Sequence, residues 1–160
     1  MLCGLLPPTS GSILWQGEPI SALREAYLSS VTYVGHRCAV KDELTTLENL
    51  RVSSALHGCE LTPDEARDVL ARMSLAAQET LHARHLSEGQ HRRLALARLM
   101  TSRSALWLLD EVLTSLDEAA VSAITMLIDE HVSRGGMTLI ATHQDLKLAA
   151  RMTQRIELAA

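Results

Sequence analysis

Two adjacent carboxylates, Asp110 and Glu111, close an apolar run from Ala105 to Leu109, and His143 follows a second apolar run from Met137 to Thr142. Buried parallel strands deliver acids to their carboxyl ends in this way. Neighbouring residues at a strand end point in different directions, so one acid can face a divalent metal while the other faces a water molecule. An acid pair can also do no more than terminate a strand. Ahead of it, Leu86, Ser87, Glu88, Gly89 and Gln90 open an amphipathic run with Leu94, Leu96, Ala97 and Leu99 on roughly one helical face. Ser87 and the first amides of such a helix make an anion site. Arg92, Arg93, Arg98 and Arg103 read as a solvated face of the same helix rather than as a ligand site.

The elements that must position these groups alternate between strand and helix. Ser12 to Gly17 reads as a strand ended by glycine, Ser21 to Leu28 as a short helix, and Val31 to Val34 as a strand ending in Gly35 and His36. Leu44 to Ala55 and Thr62 to Leu75 form a helical part, spanning about 43–85, that closes with a polar connector from Gln78 to His85. Thr62 and Glu65 make a capping box with Pro63 at the first helical position, and Val69, Leu70 and Met73 give an apolar face. After the acid pair, Glu118 to Ser133 is a helix with Val121, Ile124, Leu127 and Ile128 inward, ended by Arg134 and Gly135-Gly136. Met137 to Thr142 is a strand, Asp145 to Arg151 a helix and Gln154 to Leu158 a last strand. The pattern is α/β, in one domain of 160 residues.

Composition narrows the classes. The chain has no Phe, two Trp and two Tyr, so its core must be aliphatic and base-stacking platforms are unlike it. A formal charge of −4 gives no general attraction to nucleic acid or anionic membrane. Cys3, Cys38 and Cys59 are odd in number and far apart, which fits reduced thiols. MLCGLLPP lacks a basic residue and an apolar stretch long enough for a leader, and no run approaches the roughly 18 apolar residues of a membrane span. His57 near Cys59, and His82 with His85, have the spacing of metal pairs but no second pair to match.

The order of pentapeptide, acid pair, Thr114 to Asp117 turn and histidine resembles that of the ABC-type ATPases, whose parts are the signature motif, Walker B, D-loop and switch histidine. The resemblance implies a P-loop NTPase-like domain with a helical subdomain, with ATP and Mg²⁺ as cofactors. It implies Asp110 holding Mg²⁺, through water, Glu111 as general base, and His143 at the γ-phosphate. Ser87, Gly89 and Gln90 would cap the ATP of an opposite subunit in a head-to-tail dimer, with Ser115, Leu116 and Asp117 between the two sites. His36 stands where the family usually has the Gln of its Q-loop, which touches the Mg²⁺ shell and senses a membrane subunit. Imidazole can do either, and a lone His is also commonly a satisfied hydrogen-bonder.

Four strings, LLPPTSGSILWQG, YVGH with VKDELTTLENL, LSEGQHRRLALARL and ATHQDL, are similar to the ATP-binding subunit of bacterial cytochrome c maturation haem exporters. That implies integral membrane subunits as partners, a peripheral place on the cytoplasmic face of the inner membrane, and no nucleic acid. Val112 replaces the usual Pro after the second acid, and Arg37, Cys38 and Ala39 replace a more typical Gln-Pro-Gly. No GxxxxGK[ST] loop occurs in the chain, and the resemblance places the family's first strands and phosphate loop upstream of Met1. Charge-assisted hydrogen bonds contribute roughly 1.5–3 kcal/mol each, so three lost bonds remove about 5–9 kcal/mol. Micromolar affinity is worth only about 8 kcal/mol. The chain alone is therefore expected neither to bind ATP tightly nor to hydrolyse it. The alternative to an ATPase is a non-catalytic module that pairs with a full-length partner or a membrane subunit.

Overall fold

The computed structural model describes residues 1–36, 38–143, 146, 148 and 153–156. Its centre is a parallel sheet of three strands in the order β3-β4-β5, namely Val31–Val34, Leu106–Asp110 and Met137–Ala141. The middle strand β4 pairs Leu106 with Val31 on one side and with Met137 on the other, and Asp110 with Ala141 at its far end. Successive side chains of β4 leave on opposite faces. Leu106 and Leu108 pack with Tyr27 and Val31, while Trp107 and Leu109 enter the larger core on the other face.

A hairpin of two-residue strands, β1 (Leu14–Trp15) and β2 (Glu18–Pro19), takes the place of the single strand expected from Ser12 to Gly17. Gln16 and Gly17 both have positive φ, which a two-residue turn needs and a continuous strand does not allow. The first helix, α1 (Ile20–Ser29), covers the smaller face; its Tyr27 stacks edge-on against Trp15, and the phenol donates to Leu2 O at 2.6 Å.

The larger core joins α4 (Glu88–Ala97) and α5 (Glu118–Ser133) to the helical part, α2 (Thr46–Leu56) and α3 (Pro63–Arg72). Both α2 and α3 start with reciprocal capping boxes, Thr45 with Glu48 and Thr62 with Glu65, and Pro63 occupies the first helical position of α3. These boxes satisfy amide donors that the first turn would leave free. Leu50, Ala66, Leu70 and Met73 carry the core into this part. Along α5, Ile124 and Ile128 are buried, with Val121 and Leu127 half-buried beside them.

Among the described residues β5 pairs only with β4, and Met137 and Leu139 are exposed while Thr138 and Ile140 are half-buried, so its apolar run is not uniformly buried. Residues Gln154–Ile156 are exposed and lie in no strand, against the expected last strand, whose remaining residues are outside the described ones. The helix expected from Asp145 to Arg151 also falls largely outside the described residues.

Candidate active site

The carboxyl ends of all three parallel strands meet at one edge of the sheet. β4 delivers Asp110, β5 leads to His143, and β3 leads to Gly35 and His36. Parallel α/β sheets bind ligands at this edge. The strand stops at Asp110 because Glu111 turns into the left-handed region, with φ +52°. Such a conformation is costly for a non-glycine residue and persists only where its surroundings fix it. Here both backbone groups are held: Glu111 N–H donates to Ala141 O at 2.9 Å, and Glu111 O accepts from the Thr114 hydroxyl at 3.0 Å. The turn sends the two acids in different directions. Asp110 Oδ2 accepts from the Tyr33 hydroxyl at 3.2 Å, whereas Glu111 Oε1 lies 3.4 Å from Nε2 of His143. The Glu111 side chain is 26% exposed and that of His143 95%, so the pair opens to solvent from the imidazole side. Desolvation first, and then the Asp110 carboxylate, push the Tyr33 phenol above its ordinary value. A Cβ on Gly35 would meet the outer end of the Tyr33 ring, which would have to shift.

Arg92 ties these pieces together. Only 4% exposed, it donates to Gly35 O and to the Thr114 hydroxyl, each at 3.2 Å. Its guanidinium thus joins the end of β3 to the turn that fixes Glu111. This corrects the reading of Arg92 as part of a solvated face. Arg98 also turns inward to the Tyr33 carbonyl, and burial lowers its pKa. The usable signal for Arg92 was its register: it sits four and seven residues before Leu96 and Leu99, on the buried stripe. The place of Tyr33 beside Asp110 had no such signal, since it depends on how β3 pairs with β4.

The signature residues reach the same region through the turn after the acids. Ser87 caps α4: its hydroxyl accepts from Gln90 N–H at 3.2 Å, and Gln90 Oε1 accepts from Ser87 N–H at 2.8 Å. Two of the polar groups expected to form an anion site therefore satisfy each other. Glu88 accepts a 2.5 Å hydrogen bond from the Ser115 hydroxyl. A Cβ on Gly89 would stand 2.9 Å from Ser115 O, so the glycine allows the helix start and the turn to approach. Asp117 caps α5, its carboxylate accepting from Ala120 N–H at 2.8 Å. His36 is exposed at the end of β3. Val112, at the position where the resembled family has Pro, is buried in the core at 1% exposure.

The metal-like pairs are engaged otherwise. His57 Nδ1 lies 2.8 Å from Ser53 O, His82 Nδ1 lies 2.9 Å from Glu43 O, and His85 Nε2 accepts from Arg84 Nε–H at 3.1 Å. Among the described residues no group of three His, Cys, Asp or Glu could hold a metal ion. No helix of the described residues is long and apolar enough to cross a membrane.

A strand-borne acid pair, a histidine just past the next strand and a capped helix whose start packs against the same turn define the class of ABC-type ATP-binding domains, and solved structures share the fold. An ABC transporter ATP-binding protein from Pyrococcus furiosus superposes with a TM-score of 0.77 at 21% identity, covering 91% of this chain and 70% of that one. CbiO1 from Clostridium perfringens, part of the ABC transporter complex cbiONQ, superposes with a TM-score of 0.65 at 25% identity, covering 89% of this chain and 60% of that one. Residues 1–114 match the family model described as ABC transporter, and the chain belongs to that family, whose ATP-binding domains hydrolyse ATP. Among its relatives is the cytochrome c biogenesis ATP-binding export protein CcmA of Nitrosospira multiformis, 47% identical over 158 residues, which are 99% of this chain and 77% of the relative. The protein of the same name from Nitrosomonas europaea is 48% identical over 93% of this chain and 70% of its own length.

Proposed function

We propose that this chain is the ATP-binding and ATP-hydrolysing unit of an exporter that serves cytochrome c-type biogenesis by moving haem. The observation that carries the ATPase part is the edge where Asp110, Glu111 and His143 meet, with Glu111 Oε1 3.4 Å from His143 Nε2. Support for the pathway comes from the relatives named for cytochrome c biogenesis and export. In this reading the unit works at the cytoplasmic face of the bacterial inner membrane with integral membrane subunits, and pairs head to tail with another ABC ATPase subunit.

Bound Mg-ATP would supply the phosphoryl group and the charge neutralisation its transfer needs. Mg²⁺ retains much of its water and takes few protein ligands, which suits a site where one carboxylate, Asp110, would hold it. Glu111 would take a proton from the attacking water, and His143 would hold that water and the terminal phosphate in line. Ser87, Gly89 and Gln90 would face the nucleotide of the opposite subunit, with Asp117 in the turn between the sites and His36 in the Q-loop place.

A second reading keeps the helix start and drops the chemistry: Ser87 and Gly89 open α4 beside the turn that follows the acids. In it, the chain is non-catalytic and offers Ser87 and Gly89 to the nucleotide of a full-length partner. The test is Mg-ATPase activity of the chain beside a form lengthened ahead of Met1 by the corresponding segment of the Nitrosospira relative, each with Glu111→Gln. Hydrolysis by the long form that the substitution abolishes establishes the catalytic reading. Silence of a folded long form favours the non-catalytic module.

A further inference from the structure

Between the end of α3 and α5 runs a cleft that the nucleotide-binding edge does not use. Three adjoining cavities, of about 370, 350 and 110 Å³, form it, and Arg72 lines all three. The first two share Met100, Leu127 and Glu130, and the last two share Met73 and Ala123. The cleft therefore follows one side of α5 from Gly135–Gly136 to Asp117. Its apolar floor is Met73, Met100 and Leu127, and Met126, 64% exposed, stands at its rim. Methionine side chains adapt to varied apolar partners.

Charge on its flanks is one-sided. Arg72, Arg93, Arg103 and Arg134 line it against two acids, Glu130 and Asp117. Both acids are committed: Glu130 to Arg134 at 2.6 Å, and Asp117 to the start of α5. Among the described residues neither Arg72 nor Arg103 makes an ion pair, and both are exposed. At one end lies Trp107, stacked on His131 with ring centroids 3.8 Å apart and its buried indole N–H without a partner among the described residues. In a chain with a formal charge of −4, a cleft with surplus arginines is a local feature rather than a property of the whole surface.

We propose that this cleft binds a helical segment of a partner protein that is apolar on one face and acidic on its flanks. The apolar stripe would lie on the methionines, as amphipathic helices lie in grooves, and the acids would meet Arg72 and Arg103. α5 has 16 residues and so is about 24 Å long, which sets the ligand at about four helical turns. The inference is independent of the ATPase reading.

The test is fluorescence anisotropy of three labelled peptides of about 16 residues with the full chain. One has a leucine stripe flanked by glutamates, one the same stripe flanked by lysines, and one the glutamates with serine in place of leucine. Only the first binds saturably below about 1 mM, and more weakly as salt is raised. Arg72→Glu with Arg103→Glu weakens it about tenfold and makes the lysine peptide the better ligand, a reversal that misfolding cannot produce. Met126→Asp weakens both. The proposal is overturned if the glutamate–leucine peptide does not saturate, if the lysine peptide binds the unsubstituted chain equally, or if the serine peptide binds as well as the leucine one. The last result would mark a site that reads negative charge alone.

Discussion

Replacing Thr114 by Val tests whether the relay from Arg92 to Glu111 holds the acid in its left-handed turn. Valine keeps the branched shape but removes the hydroxyl that donates to Glu111 O and accepts from Arg92. The neutral bond is worth about 1 kcal/mol and the bond to the guanidinium about 1.5–3 kcal/mol. Thr114 is half-buried, so the added methyl returns less than about 0.8 kcal/mol. The net loss is about 2–4 kcal/mol, because among the described residues the buried Arg92 keeps one hydrogen-bond acceptor, Gly35 O. With a urea slope of about 2 kcal/mol/M, the unfolding midpoint falls by about 1–2 M. Thr114→Ser keeps both bonds and stays within about 1 kcal/mol of the parent. A double-mutant cycle with Arg92→Met shows a coupling of about 1–3 kcal/mol, since the two side chains touch. If Thr114→Val shifts stability by less than about 0.5 kcal/mol, or if the cycle shows no coupling, the relay does not organise the turn.

Gly89→Ala places a Cβ 2.9 Å from Ser115 O, a backbone atom that cannot swing away. Overpacking costs about 1–3 kcal/mol, which exceeds the roughly 1 kcal/mol of helix propensity gained, so urea unfolding shows a net loss. Asp117→Ala removes the cap of α5 and costs about 1 kcal/mol in thermal or urea unfolding, while Asp117→Asn, which caps equally well, does not. Burial lowers the pKa of His131 below its ordinary value. The unfolded chain therefore binds the proton more readily, and the contribution of His131 is full above the ordinary histidine value of 6.5 and falls as pH drops through it toward the lowered folded value. Urea midpoints at pH 7.5 and pH 5.5, compared between the parent chain and His131→Gln, check this; the substitution flattens part of the decline.

Motif order, the strand-end acids and the helix starts were legible because each is written in local chemistry. An apolar run that stops at Asp110 marks a strand end, and Thr62 with Pro63 and Glu65 marks a helix start, whatever lies opposite. The same locality misled where two structures share one pattern. Residues 12–17 have the composition of a strand, but two consecutive positive φ angles make them the first strand and turn of a hairpin that closes with Glu18–Pro19. Met137–Ala141 has the composition of a covered strand, but Met137 and Leu139 are exposed on it among the described residues.

What the tertiary structure decided is which groups face one another. Arg92 lies on the buried stripe of its helix, and the carbonyl of Gly35 and the hydroxyl of Thr114 give a charge there its partners. The 3.4 Å approach of Glu111 to His143 follows from parallel pairing of β4 with β5 across 26 residues of intervening chain, from Glu111 N–H to Ala141 O, and from the left-handed turn at Glu111. Periodicity assigns a residue to a face and spacing assigns it to an element. Neither specifies the residue across the gap, because register, crossover and backbone approach are set by packing of the whole core.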